Sequence, residues 1–91
     1  MAELLFVVGD VFTIPGRGLV LCPGWDRDAP PSGVGPGTPI ELRRPDGSTR
    51  WTIIKGLELI STPPHMFAPI LIRGDFRKED VPPGTEVWTQ A

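Results

Sequence analysis

The sequence predicts an all-β domain, a small antiparallel Greek-key barrel of six or seven strands. Three observations carry this expectation. Glycine and proline supply 11 and 12 of the 91 residues, which leaves no stretch for a long helix. Short runs rich in Val, Ile and Leu recur with turn signals between them, at intervals of about 8–12 residues. Hydrophobic residues make up 40% of the chain, enough for a packed core. A barrel is preferred because closure removes exposed strand edges. The length fits one domain over residues 1–91.

Leu4 to Val8 is the first apolar run and the first expected strand. Asp10 to Ile14 alternates around Phe12 and Ile14, then breaks at Pro15-Gly16. Gly18 to Cys22 is a third short strand. Pro23 to Pro39 holds five Pro and four Gly among 17 residues and reads as a long loop, with Trp25 as its exposed large side chain. Ile40 to Arg44 alternates apolar and charged residues. Pro45-Asp46-Gly47-Ser48 is a turn, because proline presets φ and glycine accepts a positive φ. Trp51 to Ile60 closes that hairpin, with Trp51, Ile53, Leu57 and Leu59 expected on one buried face at period two. Ser61 to Pro69 reads as a second loop. Ile70-Leu71-Ile72 is continuous in apolar residues, as a central strand is. Asp75 to Asp80 suits one helical turn, and Thr85 to Thr89 is the last strand. Ile53, Leu57 and Leu71 are expected in the core.

Composition excludes several function classes. Nine basic against 11 acidic residues give a net charge of −2, which argues against non-specific duplex binding. Seven of the nine basic residues are arginine, so bidentate contacts to carboxylate or phosphate remain available. The longest apolar run, Leu4 to Val8, is far below the roughly 18 residues of a membrane span. Glu3 stands where a secretion signal carries basic residues. Cys22 is the single cysteine, which excludes an internal disulfide and a cysteine zinc site. The expected compartment is therefore the cytoplasm. His65 has no Asp or Glu beside it, so no metal is expected, and no cofactor either. Cys22 and His65 offer a nucleophile and a base, but a thiol in an apolar strand is usually inert packing. Arg73-Gly74-Asp75 is read as a strand ending.

The run Asp10-Val11-Phe12-Thr13-Ile14-Pro15-Gly16-Arg17-Gly18-Leu19-Val20 resembles the opening of the second domain of elongation factor Tu and related translational GTPases. That family carries a Phe-x-Ile-x-Gly-Arg-Gly-x-Val run from one strand into the next. Three further stretches agree in order. Gly37-Thr38-Pro39-Ile40-Glu41-Leu42 is similar to the family's Gly-x-x-Val-Glu-Ile strand. Gly56-Leu57-Glu58-Leu59 looks like its Gly-Val-Glu-Met strand. Ile70-Leu71-Ile72-Arg73-Gly74, followed by Arg77, Glu79 and Gly84, resembles its Leu-Leu-Leu-Arg-Gly ending. The likeness spans roughly Leu5 to Val87.

The resemblance implies a β-barrel that works by binding. The chain has no Gly-x-x-x-x-Gly-Lys-Ser/Thr phosphate loop, so GTP hydrolysis is not expected of it. In elongation factor Tu the second domain holds the terminal adenosine of aminoacyl-tRNA. The resemblance therefore implies a pocket of Ile14, Gly16, Arg17, Val20, Glu58 and Leu71. Apolar side chains would cover base and ribose, and the carboxylate would accept hydrogen bonds from ribose hydroxyls. Ser61 stands where the family has an Arg three residues after the pocket Glu. Two functions follow as expectations. One is a protein-interaction scaffold, with Trp25 or His65, Met66 and Phe67 contacting a partner. The other is binding of an RNA 3′ end or nucleotide, which a positive collar of Arg17 with Arg43, Arg73 or Arg77 would favour.

Overall fold

The computed structural model describes residues 2–58 and 67–89. These residues form eight strands: β1 (Leu4–Val7), β2 (Asp10–Ile14), β3 (Gly18–Asp26), β4 (Pro39–Arg43), β5 (Thr49–Ile53), β6 (Gly56–Leu57), β7 (Phe67–Ile72) and β8 (Glu86–Thr89). A single 3-10 turn covers Lys78–Asp80, inside the segment expected to hold one helical turn. Every strand pairing is antiparallel. The all-β antiparallel expectation therefore holds. The barrel of six or seven strands does not: the eight strands form two four-stranded sheets, ordered β1-β8-β4-β5 and β2-β3-β7-β6.

Two corners carry the chain between the sheets, and the second accounts for the eighth strand. Neighbouring amides along one extended chain point in opposite directions. At the first corner Val8 donates to Thr85 O (2.8 Å) and Gly9 donates to Cys22 O (2.8 Å), which carries the chain from the first sheet into the second. At the second, Ile54 donates to Thr38 O (2.9 Å) and Lys55 donates to Leu71 O (2.8 Å). The run Trp51–Ile60 thus holds β5 in one sheet and β6 in the other, joined at a bend.

Alternation along the strands fills the space between the sheets. Leu19 and Leu21 of β3, Ile70 and Ile72 of β7, Ile40 and Leu42 of β4, and Val87 of β8 all point into it and are fully buried. Leu57, expected in the core, is half-buried against it. Leu71 is buried, but it alternates with Ile70 and Ile72 and so stands on the opposite face of its sheet.

Three sequence expectations are corrected. The β4–β5 hairpin forms, with Ile40 opposite Thr52 and Leu42 opposite Arg50. That register puts Thr52 and Ile54 inside, and leaves Trp51 at 53% and Ile53 at 46% exposure on the outer face. Ile53 is therefore not core. The loop expected over 23–39 is shorter, because β3 continues over a bulge between Leu21 and Trp25 as far as Asp26. Trp25 then pairs with Ala68, whose small side chain leaves room for the indole, and is 6% exposed in the core rather than displayed. The expected loop Ser61–Pro69 ends early, since β7 already begins at Phe67. Leu59, His65 and Met66 lie outside the described residues.

Candidate functional site

The run Ile14 to Gly18 makes the tight connection between β2 and β3. Pro15 and Gly16 occupy the central positions, Gly16 has a φ of +78°, and Arg17 N donates to Ile14 O at 3.0 Å. This is a type II turn, which wants proline first and glycine second. Gly18 answers to a different need. A Cβ there would lie 2.0 Å from the carbonyl oxygen of Ile72, so only glycine lets β3 approach β7 at this point.

Register brings Ile14, Val20 and Leu71 to the outer face of the β2-β3-β7-β6 sheet. Phe12 pairs with Val20, Val20 with Leu71, and Ile14 with Gly18. Val20 is 0% and Leu71 2% exposed, although neither belongs to the central core. Ile14, Gly16 and Arg17 line a cavity of about 350 Å³ together with Lys55 and Gly74. Val20, Leu71 and Glu58 do not line it. Glu58 meets the site through charge instead: its buried Oε1 lies 2.8 Å from Arg17 Nη2. The guanidinium N–H is not aimed at that oxygen, so the contact is an ion pair without an aligned hydrogen bond. Lys55 Nζ donates to Arg17 O at 2.6 Å and holds the turn from the other side.

Of the arginines expected in a collar around Arg17, Arg43 is engaged elsewhere, and the basic residue that shares the Arg17 cavity is Lys55. Arg43 stands on the other sheet, 4.1 Å over the Trp88 ring, with its Nε donating to Glu41 Oε1 at 2.6 Å. Arg73 lies 3.6 Å from Asp75. Cys22 is half-buried in β3 opposite Asp10. Burial first, and the Asp10 carboxylate second, push its thiol above the usual range, which keeps it protonated and disfavours a nucleophilic role. No three His, Cys, Asp or Glu residues cluster for a metal among the described residues. Among the same residues, no helix is long and apolar enough to cross a membrane.

The outer face of the β1-β8-β4-β5 sheet is a different surface. One cross-strand row reads Leu4, Trp88, Glu41, Trp51. The next reads Val7, Glu86, Arg43, Thr49. Leu4, Val7, Trp51 and Ile53 are all exposed. Glu41, Arg43 and Glu86 form a polar island between them, and Trp88 Nε1 donates to Glu86 Oε1 at 2.9 Å. Phe67, on the other sheet, is exposed at the start of β7.

Sequence reading misses this face because its strand admits two phases. Trp51 and Ile53 alternate, but so do Thr52 and Ile54. The signal that separates the phases is the partner strand. Ile40 and Leu42 must face inward because Glu41 and Arg43 are charged, and the hairpin register places Thr52 beside Ile40.

No family model, curated protein or solved structure matches the chain. The resemblance to the second domain of elongation factor Tu accordingly rests on the sequence motifs alone.

Proposed function

We propose that the domain is a non-enzymatic protein-interaction module whose contact surface is the outer face of the β1-β8-β4-β5 sheet. One observation carries this reading: four large apolar side chains, Leu4, Val7, Trp51 and Ile53, stand exposed on one side of one sheet. Single exposed apolar residues are ordinary on a protein surface, whereas here two apolar pairs, Leu4 with Val7 and Trp51 with Ile53, flank a polar strip on one sheet face. Trp51 and Trp88 supply the rigid aromatic area that dominates binding energy at interfaces. The Glu41–Arg43–Glu86 island would fix the orientation of a partner with an apolar face. The resemblance to a domain that works by binding supports the same reading.

The test is capture from lysate with the protein as bait beside Leu4→Ser and Trp51→Ser variants. The expected result is a protein retained by the parent and lost from both variants while their circular dichroism stays unchanged. A captured set indifferent to both substitutions rejects the reading.

A second reading, binding of an RNA 3′ end, is favoured by the meeting of Ile14, Gly16 and Arg17 at one cavity with Glu58 paired to Arg17. Its test is fluorescence anisotropy with a short RNA ending in CCA and the same RNA lacking the terminal adenosine. A preference for the complete end of roughly 5- to 150-fold is the expected signature of a stacked base. Equal or absent binding removes this reading.

A further inference from the structure

We infer that the free edge of β5 takes up an extended peptide from the partner, as an added strand carrying an acidic side chain between two apolar ones. This deepens the protein-interaction reading and rests on it. The first observation is the direction of the backbone groups. β5 ends its sheet and pairs only with β4 among the described residues. Arg44 N donates to Ser48 O (2.8 Å) and Ile54 N to Thr38 O (2.9 Å). Backbone direction alternates, so Arg50 and Thr52 turn their N–H and C=O groups toward β4. Thr49, Trp51 and Ile53 turn theirs toward the free edge. Among the described residues, no backbone hydrogen bond reaches Trp51 or Ile53 from the side away from β4.

The second observation is why that edge is open. Lys55 and Gly56 are met by β7, through Lys55 N to Leu71 O and the pairing of Gly56 with Leu71. β7 ends at Ile72, and the chain turns away over Arg73–Phe76, where Phe76 N donates to Arg73 O at 3.4 Å. The ladder therefore stops one step before it reaches Ile53. What remains is a cavity of about 340 Å³, lined by Trp51, Ile53, Arg50, Arg73, Asp75 and Phe76 among others. An unpaired strand edge is a template for another strand. Addition of a peptide strand supplies main-chain hydrogen bonds for affinity and alternate side chains for specificity.

Charge and alternation give the peptide's chemistry. A strand laid on β5 sends alternate side chains to the two sides of the sheet. Those on the outer side would pack on Trp51 and Ile53, which asks for apolar residues. The side chain between them points inward beside Thr52, on the same side as Arg50, whose guanidinium lies 4.6 Å over the Phe76 ring. Arg73 borders the same cavity, and its neighbour Asp75 offsets only one of the two arginines. The groove thus carries one net positive charge in a chain of net charge −2. A carboxylate at the inward position is the complement.

The probe is a capped, fluorescein-labelled peptide, Lys-Thr-Val-Glu-Val-Thr-Lys, added to the intact, isotope-labelled protein. Two control peptides replace the central Glu by Gln or N-methylate the second Val. Titration should move the amide signals of Trp51 and Ile53 and slow their hydrogen exchange. The Gln peptide should bind about tenfold more weakly, as expected for loss of a charge-assisted contact. The N-methylated peptide should bind several-fold more weakly or not at all. Arg73→Gln, an exposed change that leaves the fold intact, should weaken the Glu peptide and leave the Gln peptide unchanged. The inference is overturned if no peptide shifts these amides at millimolar concentration. It is also overturned if the shifts map to β1 and β8, or if the protein alone dimerises with Trp51 and Ile53 protected. If the peptide fails while capture remains sensitive to Leu4→Ser and Trp51→Ser, the edge inference alone falls. If capture is also insensitive, the interaction reading falls with it.

Discussion

The two sheets share one design on their inner sides and differ on their outer sides. On the β2-β3-β7-β6 sheet, Val20 and Leu71 are buried although they point away from the central core. On the β1-β8-β4-β5 sheet, Leu4, Val7, Trp51 and Ile53 point away from the same core and are open to solvent. Apolar residues on an outer face therefore have two fates in one small domain. Where they are covered they contribute to stability; where they are open they cost little to remove and are free to bind.

The largest effect that separates the two faces is at Leu71. Leu71→Ala should cost about 2–5 kcal/mol in denaturant unfolding, the usual range for emptying a buried leucine site. A loss below about 1 kcal/mol would place Leu71 on an open surface and erase the comparison.

How far the sequence reveals this contrast depends on the residue. Strand positions with one possible phase are legible. Asp10–Ile14 is predicted to the residue, and the Ile40–Leu42 alternation has charged residues to fix its orientation. The turn at Ile14–Gly18 is legible because proline and glycine each have a steric reason to be there. Trp51–Ile54 is not legible, because an apolar residue waits at either phase and only the register with β4 decides. Trp25 is hidden for another reason. Its Pro- and Gly-rich surroundings resemble a loop, yet the chain continues as a strand through a bulge to reach Ala68. The ion pair of Arg17 with Glu58 bridges residues far apart in the chain; the sequence offers Glu58 or Asp10 as the acid for Arg17, and the fold selects Glu58.

Thr52 sharpens the comparison from the inner side. Its side chain is buried beside Ile40 and its Oγ1 has no hydrogen-bond partner among the described residues. Thr52→Val keeps the shape and removes the unpaired hydroxyl. It should raise stability by about 1 kcal/mol, read as a higher denaturation midpoint at constant slope. A loss of stability would mean that the hydroxyl is satisfied and that the register of β5 differs.

The smallest expected effect is at Ile53. Ile53→Ala should change stability by less than about 1 kcal/mol, because half of the side chain is already hydrated. A cost above about 2 kcal/mol would show that the outer face of the first sheet is covered like that of the second.

The contrast between covered and open faces is read most directly by methyl relaxation with a soluble gadolinium chelate. The methyl groups of Leu4, Val7 and Ile53 should relax strongly as the chelate is added, while those of Val20 and Leu71 should be shielded to the level of Leu19 in the core. Strong relaxation at Val20 and Leu71, or shielding at Leu4, Val7 and Ile53 in the protein alone, would contradict the account.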